Sequence, residues 1–160
     1  MSAAGVTFRS ITAADTEFLY RVYASTRTEE LAVVDWPEAQ KDAFLRAQFE
    51  AQHLAYQGTY RDADFLVILR GDQAIGRLYL ARGEREIRVV DIALLPECRN
   101  TGLGTAILTD ILAEATQVGQ RVSVHVEMFN PAQRLYERLG FRRVAEHGVY
   151  YLMEWTSASG

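Results

Sequence analysis

The sequence predicts an α/β (α+β) fold: a mixed central sheet of about six to seven strands flanked by about four helices. Three observations lead there. Short alternating or apolar runs are interspersed with longer segments of helical period, in the order β-α-α-β-β-β-α-β-α-β-β. Turn residues join some neighbouring strands as hairpins, which makes part of the sheet antiparallel. The 160 residues are 49% hydrophobic and 24% charged, an ordinary balance for one folded domain with a real core. Residues 1–156 are expected to form that single domain and 157–160 a disordered tail.

Each element has its own signal. "GVTFRSIT", Gly5–Thr12, sets Val6, Phe8 and Ser10 against Thr7, Arg9 and Ile11, the period of a strand. Thr12 with Asp15 three residues on predicts a helix start, after which Phe18, Leu19, Val22 and Tyr23 share a face. "STRTEELAVVDWP" reads as a loop or short turn. Pro37 suits a first helical position, and the helix behind it places Phe44, Leu45, Gln48, Phe49 and Leu54 near one face. "DFLVILR", the turn "GD" and "QAIGRLYLARG" predict a hairpin, Asp64–Arg70 against Gln73–Gly83. Glu86–Pro96 is a long strand stopped by Pro96. Leu103, Ile107, Ile111 and Ala115, joined by Leu108 and Leu112, make Gly102–Gly119 an amphipathic helix. Arg121–Phe129 is a strand. Asn130–Gly140 is a short helix, capped by Asn130, opened by Pro131 and closed by Gly140. "FRRVAEHG" and "VYYLMEW" predict a final hairpin.

Composition narrows the function. A net charge of -4 argues against a nucleic-acid partner. Cys98 is the one cysteine, so no internal disulfide forms, which suits a reducing compartment. "MSAAGVTFRS" shows no signal-peptide pattern, and no apolar run approaches the ~18 residues of a membrane span. A cytoplasmic protein without a membrane partner is expected. His53, His125 and His147 show no ligand spacing with Cys98, so no metal site is expected.

The stretch "CRNTGLGTAIL" carries the chemistry. A helix start leaves backbone N–H groups unpaired and adds partial positive charge, and glycines let a bulky anion approach the backbone. Together they make a phosphate cradle, to which Arg99 adds a charged fork and Thr101 and Thr105 add hydroxyls. The same residues also fit a glycine-rich turn with an ordinary cap.

Arg99, Gly102 and Gly104 match the Arg/Gln-x-x-Gly-x-Gly/Ala element of the GNAT superfamily of acyl-CoA N-acyltransferases. Asn130, Leu135, Tyr136, Gly140 and Phe141 match a second element of that family. The chain resembles the family by motif from about Arg85 to Trp155, and its element order before that also fits. One departure is Asn100, where the family usually has Gly.

The resemblance implies the GNAT fold, with two strands splayed into an acyl-CoA cleft and acetyl-CoA as co-substrate. It implies a pyrophosphate on the N–H groups of Asn100, Thr101, Gly102, Leu103, Gly104 and Thr105. It implies a pantetheine arm along Ile92, Ala93 and Leu94, a backbone N–H near Leu94 that polarises the thioester carbonyl, and Asn130 against the arm. Tyr136 is the implied general acid for the departing thiolate, a role its phenol suits. Asp91, inside the apolar "RVVDIAL", is either the base that takes the amine's proton or a carboxylate paired with Arg88 or another cation. Glu127 is a weaker candidate. Glu29, Glu30, Asp35 and Glu38 would draw in a cationic amine, with Trp36 a substrate lid, or else form a solvated loop with Trp36 docked on the core.

The expected function is an N-acetyltransferase acting by direct transfer in a ternary complex on a small-molecule or peptide amine, with a homodimer as is common in the family. A non-catalytic acyl-CoA sensor and an enzyme with a longer acyl donor are the alternatives.

Overall fold

The computed structural model describes residues 5–157; the terminal residues 158–160, most of the expected tail, lie outside them. Among the described residues there are seven strands and five α-helices. They are β1 (Val6–Ser10), α1 (Thr16–Ser25), α2 (Thr28–Ala32), α3 (Glu38–Thr59), β2 (Asp64–Arg70), β3 (Gln73–Arg82) and β4 (Glu86–Leu94). After them come α4 (Leu103–Val118), β5 (Arg121–Glu127), α5 (Gln133–Arg138), β6 (Arg142–His147) and β7 (Tyr150–Trp155). One sheet runs in the order β1-β2-β3-β4-β5-β7-β6. Every neighbouring pair is antiparallel except β4 and β5, which run parallel and are joined through α4. The mixed sheet of the expected class is present.

Strand alternation divides the two faces. Leu78 and Leu80 of β3 are buried in a core with Ile107, Leu108, Ile111 and Ala115 of α4. The alternate residues Arg77 and Tyr79 face α1 and α3: the Arg77 guanidinium lies 6.0 Å from the Tyr23 ring, and Tyr56 packs edge-on against Tyr79. A second cluster, Leu19, Tyr20, Tyr23, Leu31, Leu45 and Phe49, ties α1, α2 and α3 together. Gly76 lies close against β4; a Cβ there would run into the Ala93 carbonyl oxygen.

Four local readings are corrected. The predicted loop after α1 contains α2, a helix of five residues. Thr12 and Asp15 close their cap on a single 3-10 turn, Ala13–Asp15, ahead of α1. Pro37 precedes α3 as its cap instead of opening it. On α3, Leu45 and Phe49 are buried, but Phe44 is partly exposed and Leu54 largely so. The core-facing stripe continues through polar residues: Gln48 Oε1 accepts from the Tyr23 hydroxyl, and Gln52 Oε1 accepts from Arg77.

Candidate active site

The site begins where β4 and β5 stop pairing. Their ladder runs from Glu86↔Arg121 to Val89↔Val124 and ends there. Beyond it β4 stays on β3 while β5 stays on β7, so the two strands diverge into a cleft. At the same point β4 carries a bulge. Leu80 pairs with Val89 and Tyr79 with Asp91, leaving Val90 as the extra residue. The bulge resets the parity of the strand and puts Asp91 on the face of Tyr79 and Arg77.

Backbone alternation then decides which groups are open to the cleft. The Leu95 N–H donates to Ile75 O on β3 at 2.8 Å. In this register Ala93 and Asp91 also turn their backbone groups to β3, whereas Ile92 and Leu94 turn theirs away from it. Ile92 therefore turns both its backbone groups to the cleft and Leu94 its N–H, the Leu94 carbonyl being held by Arg99; Ala93 turns its groups to β3.

The cradle follows directly. Asn100 has φ 59°, the left-handed conformation a glycine would take, and asparagine tolerates it. The departure from the family pattern thus leaves the backbone path intact. Gly102 has φ 84° and precedes α4. The first helical bond of α4 runs from Ala106 N–H to Gly102 O at 3.0 Å, so the N–H groups of Leu103, Gly104 and Thr105 have no helical acceptor. A Cβ at Gly104 would meet nothing within 4 Å. That open space beside unpaired N–H groups fits a pyrophosphate.

Two expected side-chain donors are engaged elsewhere. Arg99 Nε donates to Leu94 O at 3.0 Å, and its Nη2 donates to the Ser25 hydroxyl at 2.9 Å. It clamps the end of β4 to α1. The Thr101 hydroxyl donates to Cys98 O at 2.7 Å. Cys98 itself is buried.

On the far side of the cleft, α5 starts at Gln133, later than expected, with Ala132 as its cap. Asn130 acts one step earlier: its Oδ1 accepts from Ala132 N–H at 2.9 Å. Gln133, missed by sequence reasoning, is buried and fastens α5 to the end of β5. Its Nε2 donates to the Glu127 and Met128 carbonyls. Tyr136 is 5% exposed and packs edge-on against Phe141 at 5.2 Å. Burial first, and the Asp91 charge second, push its phenol well above the ordinary range.

Asp91 is paired with a cation, one of the two roles expected of it, and that cation is Arg77 in place of Arg88. Arg77, 3% exposed, donates to its Oδ2 at 2.7 Å, and the Tyr56 hydroxyl donates to the same oxygen at 3.4 Å. Burial opposes the Arg77 charge, and Asp91 with Tyr79 and Tyr56 more than offsets this, so its pKa lies above the ordinary value. Arg77 inside the apolar "AIGRLYLA" was the available signal for this pair. Arg77→Met leaves Asp91 alone in a largely buried position and is expected to lower unfolding free energy by about 3–5 kcal/mol in urea titration. Arg77→Met with Asp91→Leu should recover much of that loss. Equal stability of the single variant and the parent would show that the pair is not holding the site.

Glu127 pairs with Arg27 at 2.9 Å. Glu30 also binds Arg27, and Glu38 lies 3.7 Å from Lys41. Trp36 packs on Phe44 near the start of α3, whereas Tyr56 and Tyr60 line the cleft from its other end. Phe44 and Tyr56 are about 18 Å apart along the helix. The structure does not bring Trp36 to the cleft. Among the described residues, no helix is long and apolar enough to cross a membrane, and no cluster of three or more His, Cys, Asp or Glu has a metal-binding arrangement.

Residues 22–141 match the model of the acetyltransferase (GNAT) family. Solved structures of similar fold include the PaiA N-acetyltransferase of Thermoplasma acidophilum in complex with coenzyme A. It is 19% identical, with 98% of this chain and 100% of that one covered at a TM-score of 0.70. An acetyltransferase of Thermus thermophilus is 20% identical over 98% and 100% of the two chains, at 0.68. A GNAT family acetyltransferase of Elizabethkingia anophelis with acetyl-CoA bound is 15% identical over 96% and 99%, at 0.58.

Proposed function

We propose that this chain, which belongs to the GNAT family of acetyltransferases, transfers an acetyl group from acetyl-CoA to the primary amine of an acceptor by direct attack. Residues 1–156 act in this reading as one catalytic domain. The observation that carries it is the alignment of three features: the β4–β5 divergence after Val89, the open backbone edge of Ile92 and Leu94, and the cradle at α4.

Acetyl-CoA supplies an activated thioester; the chain's residues bind it and manage charge and protons. The N–H groups of Leu103, Gly104 and Thr105, approached through Asn100, Thr101 and Gly102, hold the pyrophosphate. Leu94 N–H meets the pantetheine arm first, its carbonyl being held by Arg99. Ile92 N–H lies two residues deeper and is better placed than Leu94 to polarise the thioester carbonyl, since fixed donors there need no reorganisation. Asn130 keeps its Oδ1 on Ala132 and offers its Nδ2 to the arm. Tyr136 is the phenol whose O–H donates to the departing sulfur, and solvent returns the proton. Asp91 has both its hydrogen bonds on Oδ2, which leaves Oδ1 to receive the acceptor's ammonium and pass its proton to water. Cys98 is buried beneath the cradle, which favours direct transfer over an acyl-enzyme on that thiol.

Thermal denaturation with acetyl-CoA, followed by thiol release against a panel of amines, tests the reading. Ligand at 100 times its Kd should raise the melting temperature by roughly 5–10 °C. A shift without release on any amine would leave a binding module, and no shift would remove the cradle.

A further inference from the structure

On the α3 side of the diverging strands lies a cleft of about 280 Å³. That volume is at the small end of ligand sites, which suits a small acceptor. Arg88, His125, His147, Tyr56, Tyr60 and Tyr150 supply its polar and aromatic walls, and Val89 and Val90 also line it. Among the described residues, none of those lining it is a carboxylate; the nearest acid on the path to the thioester is Asp91, which accepts from the hydroxyl of the lining residue Tyr56.

The polar groups in this wall are mainly donors. Arg88 donates from Nε to the Ser123 hydroxyl at 2.6 Å, from Nη1 to His125 Nδ1 at 3.1 Å, and from Nη2 to Glu86 at 3.4 Å. A guanidinium carries five N–H donors, so some remain for a ligand. Because arginine cannot accept, His125 Nδ1 must be unprotonated and its Nε2 carries the hydrogen. Burial first, then Arg88 and His147, hold the His125 pKa below its ordinary value, which keeps that tautomer neutral. The His147 ring meets it edge-on at 5.4 Å. Glu86, the acid nearest Arg88, is shared with Arg121 at 3.1 Å. The Tyr56 hydroxyl is spent on Asp91 and leaves its ring as a wall.

We infer that the acceptor is an amine that also carries a carboxylate: an amino acid with an apolar or aromatic body, its carboxylate held by Arg88 and His125. This rests on the acetyl-transfer reading and names the substrate class of that site. It reverses the cationic acceptor expected from Glu29, Glu30, Asp35 and Glu38, since none of those residues lines the cleft. A planar guanidinium matches a carboxylate in two-point geometry, and a donor-lined wall disfavours a polycation.

The test compares thiol release with L-phenylalanine, L-phenylalaninamide, 2-phenylethylamine and spermidine, for the parent protein and for Arg88→Gln. The amino acid should exceed its amide in kcat/KM by about tenfold or more. Arg88→Gln should reduce that ratio to near one while the acetyl-CoA thermal shift persists. Should Arg88→Gln fail to show that shift, His147→Leu, at an exposed position, is expected to lower the same ratio several-fold. Efficient transfer to the amide or to spermidine, or a ratio unchanged in the folded variant, would overturn the inference and leave acetyl transfer standing. No release with any amine on a wider panel would overturn both.

Discussion

Gly104→Leu is expected to lose coenzyme A affinity by about two orders of magnitude or more, with no loss of stability in the free protein. The two halves of this result have separate causes. The backbone at Gly104 is in an ordinary helical first turn, and a side chain there meets no neighbouring atom within 4 Å. Replacing a helical glycine by leucine favours the helix by roughly 0.5–1 kcal/mol, so the melting temperature should hold or rise slightly. The open volume is nevertheless the space in front of the Leu103, Gly104 and Thr105 N–H groups. A leucine there screens them from a pyrophosphate, and a loss of 2.8 kcal/mol is about a hundredfold in Kd. Gly102 is the poorer test, because its φ of 84° strains any other residue and mixes lost binding with lost folding. Isothermal titration calorimetry with coenzyme A decides the matter. Parental affinity in folded Gly104→Leu would put the pyrophosphate elsewhere.

The strands were legible because each runs in a simple alternation or an apolar block bounded by turn residues. The α4 helix was legible because Ile107, Ile111 and Ala115 repeat on one face and all are buried. Helix α3 was harder. Its inner face is made partly of Gln48, Gln52 and Tyr56, which are there to bond Tyr23, Arg77 and Asp91. The sequence pattern reaches Leu45, Gln48 and Phe49 but not Gln52 or Tyr56, and fills the rest with Phe44 and Leu54. Helix α2 is too short to show a period, and Leu31 is its one buried residue.

The same limit applied at the site. Local glycine chemistry pointed to the cradle, and the structure added that Asn100 takes the left-handed turn. The partner of Asp91 was not local. Arg88 is three residues away in sequence but turns toward β5, whereas Arg77 reaches Asp91 across the β3–β4 pairing. One bulge residue, Val90, sets that parity, and a bulge leaves no periodic trace in a strand of nine residues. The donor-lined cleft was equally hidden, because its walls come from α3, β4, β5 and the β6–β7 hairpin and share no motif.

Tyr136→Phe is expected to lower kcat by roughly 10²-fold or more while leaving coenzyme A affinity within about twofold of the parent. The substitution removes one oxygen from a ring that packs against Phe141, so the fold has little to lose. Its kinetic effect depends on where the hydroxyl points and in which state it stands. Tyr136 sits on α5, fixed to β5 by the buried Gln133, and its phenol feels the Asp91 charge. The proposed acid thus lies within reach of the field of the proposed amine-binding carboxylate. Burial and Asp91 both favour the neutral phenol, so the proton stays available across the working range. The kcat profile of the parent should therefore show no basic limb below about pH 10, the ordinary value for tyrosine. An acidic limb would report loss of the neutral amine, and it should survive in Tyr136→Phe. If Tyr136→Phe retains full kcat on the best acceptor, the hydroxyl gives no proton to the sulfur. Tyr136 would then be a packing residue like its neighbour Leu135, and the thiolate would leave unprotonated or take its proton from water.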